Sequence, residues 1–265
     1  MSQQQKTIAA SFQLSGVSLH SGAETTVFCS PAPINSGILF IKQGKSIPAT
    51  IEHLSSTKRS TSVAGVAVTE HLLSAIYAIG IDNLTLEVMG DEIPVLDGSA
   101  KPFVDAILTA GLLDQPAPKQ SIVLKAPIKL SDGKASIEAL PYHGFSLTFM
   151  VNFPSVGEQK LSFDFESGDY ATEIAPARTF GYIEEIEALK QQGLGRGASL
   201  DNALVLSQSG YLNQPRFKDE LVRHKILDLI GDLALLGRPL KAQINACMSG
   251  HKLNSELVRR ILQNG

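Results

Sequence analysis

Arg223-His224-Lys225-Ile226-Leu227-Asp228-Leu229-Ile230-Gly231-Asp232 reads as a helix with two unlike faces. Residues four apart stack on one side of a helix, so His224, Asp228 and Asp232 form a polar ladder. Val222, Ile226, Leu229, Leu233 and Leu236 form an apolar stripe on the other side. The pattern predicts a long helix over 218–236, stopped by Gly237 with Pro239 beyond it. An imidazole and a carboxylate one turn apart can both reach one divalent metal. A solvated polar face on a core helix is the plainer reading of such a ladder. Two other stretches, Thr69-Glu70-His71 and Ser249-Gly250-His251, weigh against it.

Outward from this helix the chain divides into two halves with one order of elements. In the first, strand-like runs at 7–14, 24–30, 37–42 and 62–68 precede a helix over 70–79, with Thr69 as its N-cap and Gly80 as its stop. A strand at 83–89 and a helix at 99–110 follow. Residues 114–120, DQPAPKQ, read as an exposed linker. The second half begins again with strands at 121–124, 135–140, 146–152 and 160–165. A short helix at 183–192 and a Gly-rich loop at 193–197 lead to the long helix, a strand at 241–248 and a last helix at 254–263. This predicts an α+β fold of two similar domains, each a β-sheet with two helices on one face. The domains are 1–114, supplying Glu70 and His71, and 121–265, supplying His224, Asp228 and His251, joined by a linker at 115–120. A site between them would draw on both.

Composition narrows the function classes. With 43% apolar and 18% charged residues the chain can bury a core. A net charge of −3 argues against a nucleic-acid footprint. Cys29 and Cys247 read as reduced core residues of a cytoplasmic protein. No signal-type apolar block or membrane-spanning run is expected. A lipid substrate would be met from the aqueous side.

Three of the six histidines, His71, His224 and His251, sit in chemically suggestive surroundings. His71, His224 and Asp228 would offer two nitrogens and one oxygen and leave a position for water, the open pattern of a catalytic zinc. Glu70, favoured as an anion in a helical first turn, could act as general base. His251 could be a cation that steadies an oxyanion and protonates a leaving amine. Asp232 is placed to hold His251 by a hydrogen bond.

Seven stretches now fall in order along the chain. They are Gly16-Val17-Ser18-Leu19-His20-Ser21-Gly22, Thr69-Glu70-His71-Leu72-Leu73-Ser74-Ala75, Gly80-Ile81-Asp82-Asn83, Glu92-Ile93-Pro94-Val95-Leu96-Asp97-Gly98-Ser99, Ala177-Arg178-Thr179-Phe180-Gly181, the 223–232 stretch, and Ser249-Gly250-His251. In them the sequence resembles the zinc-dependent UDP-3-O-acyl-N-acetylglucosamine deacetylases of lipid A biosynthesis, over nearly its whole length. The resemblance implies two βααβ domains packed face to face with the site between them. It implies His71, His224 and Asp228 as ligands of Zn2+, with Fe2+ as the open alternative, Glu70 as base, and His251 with Asp232 as acid. Thr179 would hydrogen-bond the oxyanion, Phe180 would pack on the sugar, and Lys225 would meet the diphosphate or nearby oxygens. An inserted βαβ unit at about 180–206 would form an acyl passage, with Ile183, Ile186, Leu194 and Leu200 as candidate lining. The implied partner is a nucleotide-sugar lipid precursor, with no nucleic acid and only transient contact with a membrane surface. A monomer is expected, since no coiled-coil seam is present. The chain departs from the family in trimmed loops at 60–69 and 214–218, and in Leu140 where some members carry a basic residue. His20 reads as a turn-stabilising histidine.

Two other classes stay open on the residues alone. A helix bearing His and Asp also suits a metal-dependent phosphohydrolase, which usually needs more histidines or a second metal. A non-catalytic βααβ module gripping RNA would need a more basic surface than this one.

Overall fold

Alternation of buried and open residues builds the sheets. The computed structural model describes residues 3–264. β1 (Gln4–Ile8) leads into β2 (Phe12–Val17), β3 (Glu24–Pro31), β4 (Ile38–Lys42) and β5 (Lys45–Pro48). A small hairpin, β6 (Leu54–Ser56) and β7 (Ser62–Val63), precedes α1 (Glu70–Ile79), β8 (Leu84–Met89) and α2 (Lys101–Ala110). In β3, Thr25, Val27 and Cys29 turn inward, as a period of two requires of a sheet with one covered face. The five strands run in the order β2-β3-β8-β4-β5. β8 lies in the middle, antiparallel to β3 and parallel to β4.

The second half repeats this plan. β9 (Leu112–Pro118) and β10 (Ile122–Val123) lead to β11 (Ile128–Asp132), β12 (Ala135–Pro141), β13 (Phe145–Phe153) and β14 (Gly157–Asp164). Then come α3 (Tyr170–Glu173), β15 (Phe180–Tyr182), α4 (Ile186–Gln191), β16 (Leu204–Ser207) and β17 (Gly210–Tyr211). The chain closes with α5 (Glu220–Leu233), β18 (Leu240–Cys247) and α6 (His251–Asn264). The main path of the sheet is β11-β12-β18-β13-β14. Its middle strand β18 is again antiparallel to one neighbour, β12, and parallel to the other, β13. The α+β architecture expected from the repeat is therefore the observed one.

One apolar core runs through both halves. Leu72, Leu73 and Ile76 of α1 share it with Val222, Ile226, Leu229, Ile230 and Leu233 of α5. Each such side chain contributes roughly 1.5–3 kcal/mol on burial. The two helices cross very closely. A Cβ on Gly231 would lie 2.1 Å from the Glu70 carbonyl oxygen, so only glycine fits there. That crossing brings Glu70 beside the polar ladder of α5.

Several local expectations give way to tertiary contacts. Residues 114–118 of the expected linker belong to β9, antiparallel to β1, with Gln115 and Ala117 buried. Gln115 accepts from Asn83 Nδ2 at 2.7 Å and donates to the Ala32 carbonyl at 2.9 Å, which pins the ribbon to the first half. Pro116 and Pro118 are tolerated because the ribbon is two-stranded, leaving β9 an open edge. The strand expected over 62–68 stops at Val63, and Ala64 and Val68 take positive φ values of 55° and 58°. Thr69 caps nothing with its side chain; its hydroxyl donates to the Thr61 carbonyl at 2.9 Å. α6 begins at His251, three residues before the expected start, because Gly250 O already accepts from Asn254 N–H at 3.0 Å. β15 and β16 pair in parallel around α4, and β17 extends them beyond residue 206. No helix among the described residues is long and apolar enough to cross a membrane.

Candidate metal centre and active site

His71 leaves the first turn of α1, and His224 and Asp228 leave α5 one turn apart. Their ligand atoms all lie within 4.8 Å of one another. Asp228 Oδ1 is 3.8 Å from His71 Nε2 and 3.3 Å from His224 Nε2. The two rings meet edge to face, 5.0 Å between centroids. His224 Nδ1 sits 3.1 Å from the Ala177 carbonyl, an acceptor, so it carries the hydrogen and Nε2 keeps its lone pair for the site. Burial holds both imidazoles neutral, and the proximity of His224 helps to lower His71 to about 3. Burial alone would raise Asp228; the positive charges around it, Lys225 among them, outweigh it and keep the carboxylate ionised. Two neutral nitrogens and one anionic oxygen, all buried and converging, are the donor chemistry of a divalent transition-metal ion. Lys225 Nζ donates to Asp228 Oδ2 at 2.6 Å, so the lysine is held on a ligand as well as lining the pocket.

Two further titratable groups, Glu70 and His251, stand beside this triad. Glu70 is buried, and desolvation pushes its pKa up to about 7 despite the attraction of His251. Its Oε2 accepts the Thr61 N–H at 3.0 Å, and its Oε1 lies 3.9 Å from His251 Nε2. His251 Nδ1 donates to Asp232 Oδ2 at 2.9 Å. Burial would depress His251, but Asp232, by charge and hydrogen bond, together with Glu70 and Asp228 outweighs it and raises it to about 9. Asp232 also receives Asn254 Nδ2 at 2.8 Å and the Thr61 hydroxyl. Thr61 and Asn254 were not legible in the sequence as site residues; only the fold brings 61, 232, 251 and 254 together.

One pocket is lined by Glu70, His71, His224, Lys225, Asp228 and His251 together with Leu19, Arg59, Thr179 and Phe180. Those last four also line an apolar cavity of about 410 Å³. Phe180 packs edge-on against His224, 5.8 Å between centroids. Of the four residues expected to line an acyl passage, Ile186 lines this cavity. Ile183 and Leu200 are exposed, at 41% and 57%, and Leu194 stands outside the lining. The reason is periodicity. Ile186 and Leu189 share a face of α4, whereas Ile183 sits in the preceding 3-10 turn and Leu194 and Leu200 in loops. Phe180 and Tyr182 of β15, Val205 of β16 and Phe153 of β13 add to the same wall.

Struts fix the pocket from behind. Glu220, fully buried, accepts from Arg178 N at 2.9 Å, Arg178 Nε at 3.0 Å and Arg216 N at 2.5 Å. This holds the 177–179 segment that orients His224 and presents Thr179. The insertion docks on the first half, with Arg196 N–H on the His20 carbonyl at 3.0 Å and Gly197 N–H on the Leu19 carbonyl at 3.1 Å. The 18–22 turn itself is held by Glu92, which accepts the backbone N–H groups of His20 and Ser21, both at 2.8 Å. The His20 ring nitrogens have no partner, so the imidazole is not what stabilises that turn.

The family model for LpxC, UDP-3-O-acyl N-acetylglycosamine deacetylase, matches residues 5–263. The chain belongs to this deacetylase family. It is 45% identical over 270 residues to the UDP-3-O-acyl-N-acetylglucosamine deacetylase of Thermosynechococcus vestitus, covering 98% of this chain and 94% of that protein. To the proteins of that name from Myxococcus xanthus and Coxiella burnetii it is 42% and 40% identical, over 98% and 97% of this chain and 87% and 90% of theirs. The deacetylase family displaces both the phosphohydrolase and the RNA-binding readings.

Proposed function

We propose that this chain removes the acetyl group from UDP-3-O-acyl-N-acetylglucosamine, giving acetate and a free glucosamine amine for lipid A biosynthesis. One observation carries the mechanism: a base and an acid, Glu70 Oε1 and His251 Nε2, face each other 3.9 Å apart beside a three-ligand site. His71, His224 and Asp228 would hold the metal, with zinc favoured by the two-imidazole, one-carboxylate set. When bound, the ion supplies Lewis acidity toward the acetamide carbonyl.

The protein's own groups then divide the proton work. Glu70 Oε1 takes a proton from the attacking water as the new C–O bond forms. The Thr179 hydroxyl and the His251 cation steady charge on the former carbonyl oxygen. His251 Nε2 gives its proton to the sugar nitrogen as the C–N bond breaks, and Asp232 holds the ring in place. Phe180 packs on the sugar, and Lys225 offers charge to substrate oxygens. The apolar cavity beyond Thr179 and Phe180 accommodates the acyl chain, Ile186 among its walls. The active site forms between an N-terminal unit of residues 1–114 and a C-terminal unit of 121–265, and the enzyme works as a cytoplasmic monomer that touches the membrane only transiently.

The test is direct. Purified protein incubated with the acylated UDP-sugar releases acetate. A chelator stops the release, and added Zn2+ restores it better than Fe2+ if zinc is the native ion. Acetate release that persists after full demetallation would remove the metal from the mechanism.

A further inference from the structure

Thr61 carries no titratable group, yet it is fully buried where the two proton-transfer groups meet. Its backbone N–H donates to Glu70 Oε2 at 3.0 Å. Its hydroxyl donates to Asp232 Oδ1 and lies 3.2 Å from His251 Nδ1. Its carbonyl accepts the Thr69 N–H at 3.0 Å and the Thr69 hydroxyl at 2.9 Å. Every polar atom of the residue is committed.

The donor count fixes where protons can sit. A hydroxyl has one hydrogen, and an ionised carboxylate only accepts, so that hydrogen points to Asp232. The Thr61 oxygen then has only lone pairs to offer His251. Nδ1 faces two acceptors, Thr61 Oγ1 and, at 2.9 Å, Asp232 Oδ2. The hydrogen is therefore kept on Nδ1 in both charge states, and Nε2 is the nitrogen that gains and loses a proton. On the other side, the Thr61 N–H occupies Oε2 of Glu70 and leaves Oε1 to face His251. Thr61 precedes α1 in the first half, whereas Asp232 and His251 come from the second. We infer that Thr61 is a positioning residue that sets the base Glu70 and the acid His251 in register across the seam between the halves. The inference rests on the proton-transfer roles proposed for those two groups.

Thr61→Val keeps the backbone N–H, the carbonyl and the branched shape and removes only the hydroxyl. Hydrogen bonds to charged groups are worth enough to predict a kcat loss of roughly 10- to 100-fold. KM and bound metal should stay within about twofold, because the lost contact acts on the proton-transfer groups. Thr61→Ser should recover most of the rate. In an Asp232→Asn background the hydroxyl no longer serves an anion, so adding Thr61→Val should slow that enzyme by less than about twofold. Four results would overturn the inference: a Thr61→Val enzyme as fast as wild type, a Thr61→Ser enzyme as slow as Thr61→Val, full additivity with Asp232→Asn, or lost metal in Thr61→Val. A wild type that releases no acetate overturns the proposed function together with it. An active wild type matched by Thr61→Val overturns this inference alone.

Discussion

α1 and α5 occupy the same place in the same topology, each just before the middle strand of its sheet, yet they contribute differently. α1 gives the site only its first turn, Glu70 and His71. α5 gives three levels of a ladder, His224, Asp228 and Asp232. The segments after the middle strands diverge further. Between β8 and α2 the chain spends residues 90–100 on a strap whose Gly98 carbonyl accepts the Thr179 N–H at 2.7 Å. Between β18 and α6 it spends only 248–250, with Met248 at a φ of 51°, and so delivers His251 to the pocket as the first residue of α6. A repeated scaffold thus brings Glu70 from one half and His251 from the other to one pocket, the pair proposed above as base and acid. Loop length decides whether the same position braces the site or works in it.

Breaking this division of labour should produce the largest effects. Glu70→Gln and His251→Gln each remove one of the proposed proton carriers while leaving His71, His224 and Asp228 in place. Each should lower kcat by roughly 10²- to 10⁴-fold with metal content near that of wild type. His224→Ala should instead empty the metal site. Turnover and metal analysis on the same preparations separate the two classes. A Glu70→Gln enzyme retaining wild-type kcat would remove the base from α1.

Next in size is the strut behind the α5 ladder. Glu220→Gln leaves the buried Arg178 guanidinium with a neutral partner. Breaking a buried pair in this way costs roughly 3–5 kcal/mol, read as a lower denaturation midpoint. The Arg216–Asp97 pair, 2.8 Å long with both side chains about a third exposed, is the internal control. Arg216→Met should cost no more than about 1 kcal/mol, because solvent screens it. Equal losses in the two variants would mean that the buried Arg178–Glu220 pair braces the 177–179 segment no better than an exposed pair does.

The same asymmetry explains what the sequence disclosed. The α5 ladder was legible because its members share one helix and a four-residue spacing carries the geometry. Glu70 and His71 were legible as neighbours at a helix start. The repeat of strands, helix, strand and helix showed in periodicity alone, and the sheets bear it out. The ribbon of β9 with β1 was hidden because Gln115 and Ala117 alternate with prolines that locally signal a linker; its partner lies more than a hundred residues away. Thr61 and Asn254 were hidden because isolated polar residues gain meaning only from long-range contacts. The cavity lining was legible at Ile186, where helical spacing rules, and not at Ile183, Leu194 or Leu200, in turns with no period to read.

A smaller effect sharpens the acid side. Burial acts to lower His251, while Asp232, Glu70 and Asp228 around it raise it, to about 9 overall. A group raised in the folded state stabilises the fold fully below its unfolded pKa, near 6.5, and loses that contribution as pH climbs through about 9. The alkaline limb of the rate should follow the same proton. In Asp232→Asn the largest raising charge is gone and burial remains, so that limb should move to lower pH, read from kcat against pH under equal metal loading. An unmoved limb would mean that His251 does not govern it.

The smallest effect compares the two sheets themselves. Cys29 in β3 faces the covered side, fully buried, and desolvation pushes its thiol up to about 12. At neutral pH almost none of it is thiolate, and a reagent could reach it only after the first sheet opens. Cys247 is half-buried at the end of β18, where the chain leaves the sheet through Met248 toward His251. A soluble alkylating reagent on the folded protein should therefore modify one thiol, Cys247, and mass mapping should find Cys29 free until denaturant is added. Matching rates at both thiols would show the first sheet opening as readily as the end of the second. The close packing that α1 needs to hold Glu70 against Gly231 would then lack a stable platform.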